Sequence, residues 1–179
     1  MANKNSTLVF PEVINNFNVY DGGDRLQGVS AEVTLPNMQA ITAEITGAGV
    51  LGSYNTAVVG MYQSITQEIP FRIINREFFS LINSSKQAEI VLRASQQNVN
   101  RQTGGTISSQ GMRVVFRGRP SGANLGTLKQ ADMMNASVTL ELTYLLVEIG
   151  GETAFELDKL NEVCKINGVD VLADIRNQC

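Results

Sequence analysis

Apolar and polar positions alternate along most of this chain. Val29, Ala31, Val33 and Leu35 alternate with Ser30, Glu32 and Thr34. Ile65, Ile69, Phe71 and Ile73 share one phase, opposite Ser64, Thr66, Glu68 and Arg72. Ala88, Ile90, Leu92 and Ala94 alternate with Gln87, Glu89, Arg93 and Ser95, and Met112, Val114 and Phe116 stand opposite Arg113 and Arg117. A period of two sends successive side chains to opposite faces, so each run predicts an antiparallel strand with one buried face. The DGGD stretch, Asp21 to Asp24, predicts a turn joining FNVY to RLQGVSAEVTL in a first hairpin.

The strongest strand signal is SVTLELTYLLVEI, Ser137 to Ile149. Val138, Leu140, Leu142 and Tyr144 fill one face, with Ser137, Thr139, Glu141 and Thr143 on the other; then Leu145, Val147 and Ile149 make the second face apolar too. Such a strand passes from a solvated surface into one covered on both sides, by a second sheet or by a neighbouring copy of the chain. Helix signals are few. Asn75 suits the cap of a short helix reaching Asn83, with Phe78, Phe79 and Ile82 facing a sheet. A second helix is expected from about Asp170 to Asn177, where Val171, Leu172 and Ile175 fit helical spacing. NRQTGGTISSQ, near residues 100 to 110, and the stretch from Gly118 to Ser137 read as long loops, which in a small domain are usually functional or flexible. No repeat or linker divides the chain. The expectation is one domain over residues 1–179, with an N-terminal arm over 1–16 and a glycine-rich flap or hairpin loop over 46–60. Its fold class is mainly β: an antiparallel sandwich or distorted barrel with a short α-helix packed on it and a possible C-terminal helix.

Residues Gly47, Gly49 and Gly52 spell G-x-G-x-x-G, the fingerprint of a dinucleotide-binding loop. That loop must close a strand and open a helix, whose N-terminus receives the pyrophosphate. Ile41, Ala43 and Ile45 supply a strand, but SYNTAVVGMYQSITQEIP after Gly52 is β-branched, interrupted by Gly60 and stopped by Pro70. The glycines therefore read as a turn between two strands, and no cofactor is expected.

Composition narrows the chemistry. At 179 residues the chain has length for one sizeable core, and with 17% charged residues it leaves much neutral surface, which suits a protein covered by copies of itself. The formal net charge is −3 with no basic cluster, so affinity built on phosphate neutralisation is not expected. The start, MANKNSTLVF, does not read as a secretory signal, and no apolar run approaches a membrane span, so a soluble protein is expected. The chain contains no histidine, which removes the commonest general base, the usual serine and cysteine triads and most zinc sites. Cys164 lies in NEVCKI, whose alternation suits a packed strand, and Cys179 stands apart; both read as free thiols. Glu156 and Asp158 share a strand face, yet with no Trp and 6% aromatics a sugar-stacking cleft is hard to furnish. The phosphate-loop signature is also missing. No catalytic, cofactor or metal residue is assigned, and the chain reads as no enzyme.

The blocks VVFRGRP, NLGTL, SVTLELTYLLVEIGGE, FELDKLN and INGVDVLADIR follow one another in the last third. NVYDGGDRLQGVSAEVTLP, EITGAG and ITQEIPFRIIN precede them. In this order the chain resembles the major tail tube proteins of contractile-tailed bacteriophages, over about Asn18 to Arg176. The resemblance implies a virion structural protein, a homo-oligomer whose hexameric rings stack into a hollow tube within a contractile sheath. It implies partners: the tail sheath protein, the tape measure protein, the baseplate and the tail terminator, with transient passage of DNA and no small-molecule substrate. It also implies location in the virion tail, after assembly in the host cytoplasm. The inner tube of an R-type bacteriocin or related injection system is the alternative, and a monomeric β-sandwich ligand-binding module a further one. Within this reading Gly47, Gly49, Gly52, Leu145 and Val147 are expected at contacts between subunits. Glu141, Glu148, Glu152 and Glu156 are candidates for acids facing the lumen, where a net acidic chain would let DNA slide.

Overall fold

Three long strands carry the molecule: β6 (Ala88–Asn100), β7 (Thr106–Asn124) and β8 (Ala136–Ile149). A computed structural model describes residues 9–101 and 104–179. Before and after these strands come β1 (Val9–Asp21), β2 (Asp24–Arg25), β3 (Ala40–Thr46), β4 (Ser53–Tyr62), β5 (Thr66–Phe71), α1 (Arg76–Leu81), β9 (Glu152–Asp158), β10 (Val163–Ile166), β11 (Val169–Asp170) and α2 (Ala173–Gln178). The main sheet runs β11-β10-β9-β8-β7-β6-β1-β2, while β3 and β4 form a separate two-stranded sheet. Every pairing is antiparallel. The first eight residues of the expected arm lie outside the described residues, and from Val9 the chain is already β1, paired to β6.

β8 changes partner halfway. Its first part, Ala136 to Glu141, pairs β5, and its second, Tyr144 to Ile149, pairs β9. Between them the register with β7 steps from Leu142↔Gly118 to Tyr144↔Arg117, which leaves Thr143 as an extra residue. Such a bulge bends a strand and inverts its alternation. Val138, Leu140 and Leu142 point into the main core before the bulge, and Leu145 and Val147 do so after it. The sequence reading of Tyr144 on the core face is thereby corrected: with Leu146 it packs on the opposite face. Strict period-two counting could not see the inversion, because an inserted residue leaves no mark in side-chain type.

The main core lies between the bent sheet and α1. Phe78 and Leu81 of the helix are buried, and Phe78 meets Phe71 edge-on with ring centroids 5.3 Å apart. Asn75 caps the helix as expected, its side-chain oxygen accepting from the Phe78 N–H at 2.9 Å. The same amide donates to the Gln27 carbonyl at 3.2 Å, so the cap also holds the segment after β2. Asn75→Ala is expected to lower stability by about 1 kcal/mol, read as a urea-midpoint shift at unchanged slope. Phe79, expected to face the sheet, is half exposed: it sits at the margin of the core, its ring meeting that of Phe78 edge-on at 5.4 Å.

Three further expectations change. Val29 to Leu35 do not form a strand: only Val29 bridges to Phe71. Pro70 offers β5's neighbour no N–H. Scattered bonds replace the ladder: Ser30 N–H to Pro70, Arg72 N–H to Gly28, and the Gln67 side chain to the Thr34 carbonyl at 2.9 Å. Ile73 lies beyond the end of β5 and is exposed. The two long loops are shorter than expected, since β6 and β7 stay paired out to Asn100↔Thr106, and β7 continues to Asn124. Residues 102 and 103, between these strands, lie outside the described residues. Backbone ladders pair polar residues as readily as apolar ones, so a ribbon solvated on both faces shows no hydrophobic period.

Candidate assembly surfaces and the polar face of the sheet

The glycine run joins β3 to β4 in an antiparallel hairpin, with Thr46 opposite Ser53. Gly49 and Gly52 have φ of 92° and 89°, a region that side chains with a Cβ avoid. Gly47 belongs to the same turn, and all three glycines border open space. The hairpin exposes Tyr54, Val59 and Met61, and at its tip Leu51 is fully exposed. Two strands alone are marginal in water, so this arm draws its order from what it touches. Its base is fixed near β9, β10 and the C-terminal segment: Leu172 lies over Gly60, Tyr62 meets Phe155 edge-on at 6.1 Å, and the Lys159 ammonium donates to the Gln63 carbonyl at 2.8 Å.

At the other lateral end of the sheet, β1 is an edge strand over its first half. It presents Val9, Phe10, Val13 and Ile14 with substantial exposure, and Ile107 on β7 is 64% exposed beside them. Edge strands of monomers usually carry charge, Pro or bulges; this one has Glu12 as its single charge between Val9 and Ile14, with Pro11 and two register shifts against β6. Behind β1, where the core face of β1, β6 and β7 runs past the core, lies an apolar groove of about 270 Å³. Sequence reasoning missed this edge because its residues fell within the expected arm.

The face of the sheet turned away from the main core is polar. One cross-strand row runs Tyr20, Val91, Val115, Leu146, Glu156 and Lys165. Its apolar members form a small second cluster, roofed by guanidinium groups: Arg93 lies 5.1 Å from the Tyr20 ring centre and Arg117 4.6 Å from that of Tyr144. Flanking rows bring Glu89, Arg117, Tyr144 and Asp158 together on one side, and Arg93, Arg113 and Glu148 on the other. Arg117 pairs with Glu89 at 2.6 Å, Arg113 with Glu148 at 2.9 Å and Lys165 with Glu156 at 2.8 Å. Arg25 and Asp170 end the first row, so Arg25, Arg93, Arg113, Arg117 and Lys165 balance Glu89, Glu148, Glu156, Asp158 and Asp170 in formal charge.

The four acids singled out by sequence separate. Glu148 and Glu156 share this face, each held by a cation. Glu141 lies beyond the bulge, accepting from the Ser64 hydroxyl at 2.7 Å. In β9, pairing steps from Phe155↔Val147 to Thr153↔Glu148, so Ala154 is extra and Glu152, opposite Ile149, is out of phase with Glu156. Leu145 and Val147, expected at a subunit contact, instead pack in the chain's own core, turned inward by the bulge at Thr143. The balancing arginines were visible as a polar phase, but their partners lie on other strands.

Tyr144 reports on this face. Burial first, and then its hydrogen bond to Glu156 at 3.0 Å, push its phenol up to about 12 from the usual 10.0. A raised phenol pKa contributes stability below the unfolded value and loses it as pH rises through the folded one. Stability is therefore expected to fall between pH 10 and 12. An alkaline absorbance titration of the protein minus Tyr144→Phe should show one phenol ionising near 12.

Among the described residues no cluster of three or more His, Cys, Asp or Glu side chains is placed to hold a metal ion. Nor, among them, is any helix long and apolar enough to cross a membrane. Cys164 is enclosed in β10 as the alternation predicts, and burial pushes its thiol pKa up.

These features define a class first: an antiparallel β subunit with a neutral polar face, an open apolar edge and a projecting hairpin. Its fold is similar to two solved chains of an extracellular contractile injection system. One is described as the PVC sheath/tube terminator in the extended state, with TM-score 0.56 and 16% identity, covering 78% of this chain and 97% of the other. The second is from the PVC sheath-tube complex in the extended state, with TM-score 0.53 and 17% identity, covering 78% and 92%. The tail tube protein of Escherichia phage P2 is 26% identical over 174 residues, 94% of this chain and 97% of that protein. A family model described as phage tail tube protein FII matches residues 11–179, and the chain belongs to that family. Its role is structural: a subunit of a contractile tail tube.

Proposed function

We propose that six copies of this chain close into a ring, and that rings stack into the hollow inner tube of a phage tail, in the virion. In this reading a contractile sheath surrounds the tube, which encloses the tape measure protein during assembly in the host cytoplasm. Baseplate and terminator proteins bound its ends, and DNA passes through without sequence-specific contact. The observation that carries it is the lateral edge of β1, whose apolar side chains meet solvent in the isolated chain. A sheet edge of this kind is completed by another copy, and a head-to-tail contact repeated around an axis closes into a ring.

The polar face is the surface this reading assigns to the lumen. Three of its carboxylates, Glu89, Glu148 and Glu156, are bridged by cations. A charge-balanced wall binds no polyanion tightly, because there is no excess of fixed cations to displace counterions. Passage is favoured by balance here more than by acidity. The hairpin with Gly47, Gly49 and Gly52 is the surface assigned to a neighbouring subunit.

Negative-stain microscopy and light scattering of the purified protein at rising concentration test the proposal. Rings or tubes are expected; particles that stay monomeric even when nucleated by baseplate components would overturn it and favour a ligand-binding module. The inner tube of a bacteriocin-like injector is the second reading, favoured by the fold's similarity to the injection-system chains. Both predict the same assemblies.

A further inference from the structure

Two residues, Asn167 and Gly168, join β10 to β11, where Ile166 pairs with Val169. Both take positive φ, 49° and 79°, as in the type I′ turn that Asn-Gly favours. Asn167 is the one asparagine of the chain that a glycine follows. It is exposed, and a Cβ at Gly168 would meet open space. Among the described residues, neither the Asn167 side chain nor the Gly168 N–H has a hydrogen-bond partner. Asp21, the one aspartate followed by glycine, is placed differently, because the Gly22 N–H donates to the Glu89 carbonyl at 3.2 Å.

We propose that Asn167 is a site of spontaneous deamidation, at a rate set by how often the β10–β11 hairpin opens. The Gly168 nitrogen attacks the side-chain carbonyl carbon of Asn167 and gives its proton to water as the new C–N bond forms. The bond to the side-chain amide nitrogen breaks, and ammonia leaves. Water then opens the cyclic imide at either carbonyl, giving aspartate or isoaspartate. Glycine permits the attack because no Cβ shields its nitrogen. The closed turn forbids it: the left-handed conformation sets the Asn167 side chain and the Gly168 nitrogen on opposite sides of the chain, away from a reactive approach. The turn is held by two residue pairs and by the Asn167 N–H, which donates to the Ala154 carbonyl at 2.8 Å. Arg176 of α2 clamps both ends of the hairpin, donating to the Glu162 carbonyl and to the Asp170 carboxylate at 2.6 Å each. A hairpin this short opens locally far more often than the whole chain unfolds. Isoaspartate lengthens the main chain by one methylene, so the modified turn no longer closes. The new carboxylate also joins Glu152 in the polar pocket that the two residues line. The inference stands whether or not the chain forms tubes.

The test incubates unassembled full-length protein in mildly alkaline buffer beside a synthetic peptide of residues Ile166 to Arg176. Tryptic mapping by mass spectrometry follows the same segment of the protein, and labelling by isoaspartyl methyltransferase counts isoaspartate. Asn167 should convert first among the chain's asparagines, and at least tenfold more slowly than in the free peptide. Arg176→Met should quicken conversion about fivefold with an unchanged circular dichroism spectrum. Asp170→Asn, which loosens the same clamp from β11, should act in the same direction. If Asn167 is intact in the parent and both variants once the peptide has fully converted, the site is overturned. Equal rates in the parent and both variants, or a parent as fast as the peptide, overturn the gate.

Discussion

Gly118→Ala is expected to lower stability by about 3 kcal/mol, among the largest losses for adding one methyl group to this chain. Gly118 lies on β7 directly across the bulge in β8, paired with Leu142. A Cβ there would overlap the Glu141 backbone carbonyl oxygen and crowd the Leu142 Cα. Neither is the end of a flexible side chain, so relief must come from moving one strand against the other. The bulge that Gly118 permits turns Leu145 into the core after Leu142, so the shift would spread to both halves of β8. In a chain of this size the loss corresponds to about 6–12 °C in thermal midpoint. Scanning calorimetry or urea titration of the unassembled protein measures it. Gly122→Ala is the control, because a Cβ at Gly122 meets only Thr139 at ordinary contact distance. Equal midpoints for the two variants would show that the close approach at the bulge is not what constrains β7.

Replacing Phe10 and Val13 together by Lys is expected to abolish tube formation while leaving the folded subunit intact. Both side chains are 55% exposed, so the substitution opens no cavity, and surface changes of this kind usually move stability by less than about 0.5 kcal/mol. Assembly is another matter. Two ammonium groups on an edge strand must be desolvated before another sheet can pair there, and each imposes like-charge repulsion between copies. The double variant should give an unchanged circular dichroism spectrum and melting curve, with no rings or tubes at concentrations where the parent polymerises. Normal tubes would locate the subunit contact away from the β1 edge.

Legibility differed between elements for identifiable reasons. β6, β7 and the first half of β8 announced themselves because one face is buried and the other wet, which stamps period two on the residues. The Asn75 cap and Cys164 in a packed strand were legible for the same kind of reason: a local hydrogen bond and a local alternation suffice. The ends of β6 and β7 were not, since a ribbon exposed on both faces needs no apolar phase. Val29 to Leu35 misled because Val29 and Val33 pack on the core without a ladder, while Ala31 and Leu35 of the same phase stay exposed. Of the surfaces, the glycine hairpin could be read from its turn chemistry. The β1 edge and the charge balance of the polar face could not, because both depend on which strand lies beside which.

By itself the sequence determined that this is a mainly antiparallel β protein with few helices, and that it resembles tail tube proteins. Those properties rest on side-chain types and on order along the chain. Only the tertiary structure decided which way each face of β8 points, that Leu145 and Val147 belong to the core, and that Glu148 and Glu156 are neutralised by Arg113 and Lys165. The physical reason is that one inserted residue reverses every side chain beyond it, and that cross-strand partners are neighbours in space at separations the chain order does not encode.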